Sequence, residues 1–203
     1  FGRCVDFIPS VLVARRLDGT LKFAIGPTIA TRQSVLEKID GLNNVCDRIG
    51  SDYHIGNMIA NAGYRVELSD YILENDCEKE TFSSVFKREL RWARTIRINR
   101  GSQYYGMAFC YGTVYSLFLL LLSGFSAWAI AVCAVTFAVR LMQVALSIWS
   151  LKSPKLLQWL WIVPMRDVMS FAVWLGGCFG RRVYWRGRFL EIGVKGRLSE
   201  SQS

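Results

Sequence analysis

Residues 87–97 read Lys-Arg-Glu-Leu-Arg-Trp-Ala-Arg-Thr-Ile-Arg. We expect this stretch to lie in a helix that begins at Thr81 or Ser83 and ends near Asn99. Its arginines recur every three residues and form one charged stripe, namely Arg88, Arg91, Arg94 and Arg97. Trp92 favours the headgroup level of a membrane. The pattern predicts a basic anchor at a membrane surface or, more specifically, arginines that bind a diphosphate, because the guanidinium fork matches phosphate oxygens.

Charge is distributed unevenly around this helix, although the formal net charge is +9. Residues 1–80 carry nine Lys/Arg and twelve Asp/Glu, a net of −3, whereas residues 81–203 carry sixteen and four, a net of +12. A basic balance can indicate nucleic-acid binding. Here the positive groups flank long apolar runs, so an anionic membrane face fits better and we expect no nucleic-acid partner.

The six cysteines form no Cys-x-x-Cys pair. This argues against a zinc site or a disulfide framework and for a reducing compartment. The chain does not begin with Met and shows no signal-peptide pattern, so we interpret it as part of a longer protein.

Residues 1–80 have the patterning of a water-soluble α/β segment. The expected elements are a helix starting at Pro9, a strand over Leu21–Ile25, helices over Thr31–Ile39 and Ser51–Gly63, and a strand over Tyr64–Leu68. Ser51 is expected to cap its helix, and Gly63 to close it in a left-handed conformation. The strand–helix–strand order fits the second half of an α/β domain, and the chain contains no Asp-x-Asp metal motif.

Asp52 is the carboxylate that stands out in this segment. It can be an ordinary acid at a helix start, where the helix dipole favours negative charge. The functional interpretation is a general base at the mouth of a cleft. His54 is the sole histidine, and the sequence assigns it no role.

The chain becomes apolar after the basic helix, with no charged side chain over Gly101–Val139. At about 20 residues per span, this predicts membrane helices over Tyr104–Leu122 and Ala127–Trp149, joined by a turn at residues 123–126. Arg140 is expected to extend toward the headgroups.

Leu156–Phe179 is also apolar but is interrupted by residues 164–167, Pro-Met-Arg-Asp. We favour a broken or re-entrant segment, because a full span would place the C-terminal arginines on the opposite side from the basic helix. The alternative is a simple third span that buries the Arg166 and Asp167 pair. Residues 182–189 interleave aromatic and basic side chains, a pattern that can bind RNA, form an interfacial strand or loop, or fold back over an anionic substrate.

The motif Arg88-Glu89-Leu90-Arg91-Trp92 resembles the (Q/R)xxRW motif of membrane glycosyltransferases of the GT-A, cellulose-synthase-like superfamily. Four further stretches match in order and spacing, namely Phe7–Val11, Phe23–Thr28, Ser51–Tyr53 and Tyr184–Arg188. Together they resemble the ceramide glucosyltransferases and the hopanoid-biosynthesis glycosyltransferase, a family 21-like group. The resemblance covers nearly the whole chain and identifies it as a C-terminal fragment.

This resemblance implies a role for each matched position. Asp52 is expected to be the catalytic base that deprotonates the acceptor hydroxyl. Arg88, Arg91 and Trp92 are expected to bind the donor diphosphate and shape the acceptor site. The candidate contacts elsewhere in the substrate site are Thr28, Trp185 and Arg186.

The resemblance also implies the fold class, α/β plus membrane α. We expect the second half of a GT-A catalytic domain in residues 1–80 and an interfacial basic helix in residues 81–100. A membrane region of two or three transmembrane or re-entrant helices should occupy residues 101–180, followed by a basic cytosolic tail in residues 181–203.

The implied activity is inverting transfer of a hexose, glucose or N-acetylglucosamine, from a UDP-sugar to a membrane lipid hydroxyl of ceramide or hopanoid type. Relatives use Mg²⁺ or Mn²⁺ held by an Asp-x-Asp, so no metal ligands are expected in this fragment. Two features depart from the family pattern: Ser51 replaces the usual Glu, and the nucleotide-binding half is missing, so we expect the isolated fragment to be inactive.

Two alternatives stay open beside this prediction. One is a processive polysaccharide synthase of the same superfamily, against which Arg88, in place of the usual Gln, and the short membrane region argue. The other is a non-catalytic membrane-binding fragment. For an active enzyme we expect an integral membrane protein with a cytoplasmic active face, in a bacterial inner membrane rather than the Golgi.

Overall fold

The computed structural model describes residues 11, 15–16, 19–69, 80–185, 187–193 and 196–200, so the expected helix start at Pro9 lies outside the described residues. The chain divides into two compact units. We call Val11 with residues 102–178 the helical unit, and the described residues of 12–101 and 179–203 the mixed unit.

The mixed unit begins with two helices that pack on each other, α1 (Gln33–Lys38) and α2 (Ser51–Asn61), with a short 3-10 helix at Asn43–Val45 between them. Val35, Ile39 and Ile59 form their shared core. The helix predicted over Thr31–Ile39 is thus present but shorter. This core is local, because the helices that form it are separated by a short connection.

Of the two predictions made for the ends of α2, one is confirmed and one is wrong. Gly63 has a φ of +86° and closes the helix as expected, with the N–H of Tyr64 bonded to the carbonyl of Ile59 at 3.2 Å. The expectation that Ser51 caps the start is wrong. Gly50 is the N-cap, with a left-handed φ of +73°, and Ser51 is the first helical residue.

The two strands predicted in this segment are also wrong. Leu21 and Val66 form a single isolated antiparallel bridge. The chain bends at Lys22 and Phe23, and the Lys22 carbonyl accepts a bond from Asn57 Nδ2 at 3.4 Å. This backbone therefore faces α2 instead of a neighbouring strand, which leaves the described part of the chain mostly helical.

The basic helix α3 (Phe82–Arg100) matches its predicted bounds. Thr81 is the N-cap, and its Oγ1 accepts a hydrogen bond from the N–H of Ser84 at 3.2 Å. The helix stops at Gly101, which has a φ of +58°.

The C-terminal segment forms a three-stranded antiparallel sheet in the order β1 (Arg182–Trp185), β2 (Arg188–Ile192) and β3 (Leu198–Glu200). Its inner face contributes Val183 and Ile192 to a core with Ile49, against which Ile98 of α3 packs. The carbonyl of Gly196 accepts a hydrogen bond from the N–H of Ile49 at 2.8 Å. The strands confirm part of one of the three interpretations of this segment, and its position at a membrane interface stays a prediction.

Residues 102–178 of the helical unit contain four α-helices. They are α4 (Gln103–Gly106), α5 (Gly112–Leu122), α6 (Ala127–Ser150) and α7 (Val163–Gly177), with 3-10 helices at Met107–Cys110 and Pro154–Ile162. Among the described residues, α6 is the one helix long and apolar enough to cross a membrane. The first predicted span is broken, because the segments Gln103–Cys110 and Gly112–Leu122 meet at 58°; counted together they would make a second candidate span. The segment predicted to be broken near Pro164 changes there from 3-10 to α-helix.

Arg140, which was predicted to extend toward the headgroups, forms an ion pair within the helical unit. Its Nε and Nη2 donate to the buried carboxylate of Asp167 at 3.0 and 2.7 Å. Thr113 Oγ1 donates to the same carboxylate at 2.8 Å. The opposite charge and the hydroxyl together compensate for burying Asp167.

Candidate functional site

Asp52 lies in the first turn of α2, half-buried, where the dipole of the helix favours its negative charge. Its Oδ1 accepts a hydrogen bond from the N–H of Tyr53 at 2.9 Å. The turn at Gly26 comes so close that a Cβ there would lie 3.0 Å from Asp52 Oδ2. The carboxylate is therefore held between its own helix and the turn at Gly26.

Glycine also permits α3 to approach this carboxylate. A Cβ on Gly50 would lie 3.0 Å from both Thr95 Cγ2 and Asn99 Nδ2, and 3.9 Å from Asp52 Oδ1. Thr95 Oγ1 in turn donates to the carbonyl of Arg91 at 2.8 Å. Asp52 therefore lies beside the α3 turn that follows Arg91.

Gly56 fixes α2 against the chain that leads into this turn. A Cβ on Gly56 would lie 2.7 Å from Phe23 Cα and closer still to the Phe23 carbonyl carbon and the Ala24 nitrogen. Helix and backbone are therefore in direct contact, and no residue with a side chain fits at this position without moving one of them. The orientation of Asp52 depends on this contact.

Arg100 joins the same elements through aromatic rings. Its guanidinium lies 5.1 Å from the ring centroid of Phe23 and 5.3 Å from that of Tyr53, and the two rings stack at 6.4 Å. Tyr53 Oη also donates to the carbonyl of Asn99 at 3.4 Å. These cation–π contacts, worth about 0.5–1 kcal/mol each at partly exposed sites, hold the start of α2 on the end of α3.

His54, which the sequence left without a role, lies in this contact as well. A Cβ on Gly196 would lie 3.2 Å from His54 Nε2 and 3.3 Å from Asn99 Oδ1, so both side chains lie against Gly196, between β2 and β3. Burial lowers the pKa of His54 below its ordinary value, and the positive charge of Arg48 lowers it further, against the opposing effects of Asp52 and Asn99. The pattern Asp52-x-His54 was the available sequence signal, but it did not identify Asn99 or Gly196.

The first half of α3 presents the two arginines predicted to bind diphosphate, and each lies on a tryptophan. Arg88 lies 5.4 Å from the ring centroid of Trp92 and also pairs with Glu80. Arg91 lies 5.9 Å from the ring centroid of Trp185 in β1. The structure therefore brings together four of the predicted site residues in two pairs, Arg88 with Trp92 and Arg91 with Trp185.

The other two arginines of the stripe contact the backbone instead. Arg94 Nε donates to the carbonyl of Phe179 at 3.1 Å, and its Nη1 donates to the carbonyl of Arg182. Arg97 Nη2 donates to the carbonyl of Gly180. The single charged stripe predicted on α3 thus has two functions, because Arg94 and Arg97 hold the start of β1 while Arg88 and Arg91 stack on indole rings.

Thr28 is exposed, two residues beyond the Gly26 turn that faces Asp52. Arg186 lies outside the described residues. The part of the chain that the structure describes contains no group of three His, Cys, Asp or Glu side chains that could hold a metal ion. The divalent metal that the family resemblance implies, with its ligands outside this fragment, stays a prediction.

We compared the chain with known protein families, curated proteins and solved structures. Residues 4–198 match the family model described as Glycosyl transferase family 21. No curated protein and no solved structure matches. Because the family match covers most of the sequence, including Asp52, the Arg88–Trp92 motif and Trp185, the chain belongs to glycosyl transferase family 21.

Proposed function

We propose that the chain carries the acceptor side of an inverting glycosyltransferase that moves a hexose, glucose or N-acetylglucosamine, from a UDP-sugar to a membrane lipid hydroxyl of ceramide or hopanoid type. Membership of the family supports a transferase with a sugar donor and an acceptor. The observation that carries the proposal is the packing of α2, which carries Asp52, on α3, which carries Arg91 stacked on Trp185 of β1.

In the proposed reaction, Asp52 accepts the proton of the acceptor hydroxyl as that oxygen attacks the anomeric carbon of the sugar. The bond between this carbon and the diphosphate oxygen breaks, and its electron pair leaves with the nucleotide diphosphate. A single displacement inverts the anomeric carbon. Positive charge near the departing diphosphate lowers the barrier, which is the role proposed for Arg88 and Arg91.

The indole rings support this role by limiting the orientation of the two guanidinium groups. Stacking on a ring restricts the orientation of a guanidinium, so less conformational freedom is lost when it binds phosphate oxygens. We assign Trp92 and Trp185 to this positioning, with Thr28 and Arg186 as further substrate contacts. A divalent metal, Mg²⁺ or Mn²⁺, is part of the proposed complete enzyme.

The lipid acceptor is supported by the apolar helix α6 and by the bent helix pair before it. A lipid with its tails in the bilayer presents its hydroxyl at the surface, which suits chemistry between a water-soluble donor and a membrane acceptor. We place the active face on the cytoplasmic side, of a bacterial inner membrane rather than the Golgi, since cytoplasmic segments carry the excess of Lys and Arg.

Replacement of Asp52 by Asn in the full-length protein tests the proposed base. Radiolabelled UDP-glucose or UDP-N-acetylglucosamine is incubated with the membrane-embedded enzyme and a lipid extract. We expect lipid labelling to fall by about 10²–10⁴-fold, because a general base is removed, while UDP affinity stays the same. Asp40→Asn is the matched control, since Asp40 is exposed and its φ of +58° suits Asn. Activity within tenfold of wild type would show that Asp52 is not the base.

Replacement of Arg91 tests the proposed diphosphate contact. We expect Arg91→Ala to weaken UDP binding by about 10–100-fold in calorimetry, the range for losing a hydrogen bond to a charged group. Arg91→Lys should give an intermediate loss because it keeps the charge without the fork. Unchanged affinity in both variants would reduce this arginine to a membrane anchor.

A further inference from the structure

The strongest feature outside the proposed active site is the connection that follows α6 in the helical unit. We call residues 149–162, from Trp149 through the 3-10 helix Pro154–Ile162, the tryptophan segment. It carries three tryptophans and two lysines. The sequence has no Asp or Glu between Glu89 and Asp167, so no carboxylate within the segment neutralises the lysines.

This segment has two distinct faces. On the inner face, Leu156 and Leu160 pack against the core formed by Val144, Ile148 and Val163. The outer face exposes large side chains, with exposed fractions of 79% for Trp149, 43% for Trp159 and 69% for Trp161. The lysines Lys152 and Lys155 are also exposed. The segment is therefore fixed in place by one face while tryptophan and lysine cover the other.

The backbone at Lys152 gives a second, independent observation. The N–H of Ser153 bonds to the carbonyl of Ile148 at 3.2 Å and that of Lys152 to Trp149 at 3.0 Å, which is the hydrogen-bond pattern of a helix end normally closed by glycine. Lys152 occupies the glycine position with a φ of +51°. This turn holds Lys152 exposed at the point where α6 ends and the 3-10 helix of the tryptophan segment begins.

The positions of the tryptophans along α6 indicate that the exposed face of the tryptophan segment would lie in the interfacial layer of a membrane. Trp128 and Trp149 are both exposed, at the two ends of α6 and 21 positions apart. At 1.5 Å per residue this separation is about 32 Å, close to the thickness of the hydrocarbon core of a bilayer. Tryptophan is enriched at both membrane–water interfaces, and lysine there attracts anionic headgroups.

We propose that the tryptophan segment lies flat in the interfacial layer of the bilayer and binds anionic phospholipid headgroups through Lys152 and Lys155. The tryptophan rings would sit at the level of the headgroups, and the two ammonium groups would meet lipid phosphates. The inference rests on the membrane association in the proposed function, but it concerns a lipid site separate from the acceptor hydroxyl.

The depth of the segment is tested first, with full-length protein in vesicles of zwitterionic lipid or of zwitterionic lipid mixed with phosphatidylglycerol. Tryptophan fluorescence is measured with lipids brominated near the headgroup or near the end of the acyl chain. We expect the part of the signal that disappears in Trp159→Phe/Trp161→Phe to be quenched mainly by bromine near the headgroup. Mainly deep quenching would mean that the segment spans the bilayer, and no quenching would mean that it faces water or another protein; either result overturns the proposal.

Lipid selectivity is tested second, by spin-labelled phosphatidylglycerol and phosphatidylcholine at the protein surface. Lys152→Gln/Lys155→Gln should lower the preference for the anionic lipid by about 30-fold, because each lysine near the surface contributes about 1 kcal/mol. Lys22→Gln/Lys38→Gln, in the mixed unit, is the charge-matched control. Equal selectivity in both variants overturns the proposal. Release of the wild-type protein by alkaline carbonate would instead contradict the membrane association in the proposed function.

Discussion

The contact between Gly56 and the Phe23–Ala24 backbone gives the sharpest single test of the site geometry. The perturbation is Gly56→Ala, which adds one methyl group in the middle of α2. In an open helix this change stabilises by about 1 kcal/mol, because alanine has the higher helix propensity. Here the methyl group would lie 2.7 Å from Phe23 Cα, inside the ordinary contact distance of about 3.5 Å.

Overpacking of this kind typically costs about 1–3 kcal/mol, and the upper value applies because the obstructing atoms are backbone and cannot rotate away. Against the gain in propensity, the net loss should be about 2 kcal/mol, or about 4–8 °C in Tm for a chain of this size. Movement of α2 also displaces Asp52, and a shift on the order of 1 Å in a catalytic group can reduce the rate about 100-fold.

Thermal unfolding in detergent and the radiolabelled transfer assay measure these two effects. Gly106→Ala is the matched control, since a Cβ there would meet nothing within 4 Å and should leave both quantities near wild type. If Gly56→Ala is as stable and as active as this control, α2 does not abut residues 23 and 24, and the placement of Asp52 deduced from that contact is wrong.

The remaining predictions concern three other contacts. Burial lowers the pKa of His54, so the unfolded chain binds the proton more readily than the folded one. The contribution of His54 to stability is fully present above its ordinary pKa of 6.5 and should decline as the pH falls toward the lowered pKa. Thermal unfolding measured from about pH 8 to about pH 5 should show this decline in the wild-type protein. The His54→Gln variant should show a flatter dependence of stability on pH. Asp167→Asn leaves Arg140 without its counter-charge and should cost about 3 kcal/mol in chemical unfolding, whereas Asp167→Leu with Arg140→Met should recover most of that loss. Arg94→Ala removes two bonds to backbone carbonyls and should speed amide exchange in β1 at least about tenfold, the factor for about 1.4 kcal/mol; unchanged protection would show that these bonds do not hold the strand.

Local signals in the sequence predicted the helices well. Thr81 begins α3 because its hydroxyl satisfies a free N–H, and Gly63 ends α2 because it adopts a left-handed conformation at little cost. The predominantly apolar run predicted α6 almost to the residue. These features depend on residues a few positions apart, and a sequence pattern records such distances directly.

The errors arise where the deciding partner is distant in sequence. Leu21–Ile25 was predicted to form a strand, but Gly56 brings a helix against its backbone, and Leu21 makes only the bridge to Val66. The sequence around Arg140 does not show that its partner is Asp167, which lies 27 positions away in the chain. The same applies to Arg94, whose partners are backbone carbonyls more than eighty positions away and carry no side-chain signal.

In the candidate site, too, the residue types could be identified from the sequence, but the contacts between distant residues could not. The motif around Arg88 and Arg91 and the acid Asp52 were identified as candidates from residue types and order. Their packing depends on Gly26 and Gly50, which have no chemistry of their own and allow close approach by lacking a side chain. Nor could the sequence show that Trp185 lies on Arg91, because that contact requires the register of the C-terminal sheet.

The contacts of the sheet formed by residues 182–200 can form only late in biosynthesis. The chain leaves the mixed unit at Gly101, builds the helical unit, and returns only at Phe179. Asn99 and Arg91 can therefore contact Gly196 and Trp185 only after those residues are synthesised, about a hundred codons later. A chain truncated before Trp185 would lack both contacts, so Arg91 gains its tryptophan partner only after the helical unit has been synthesised.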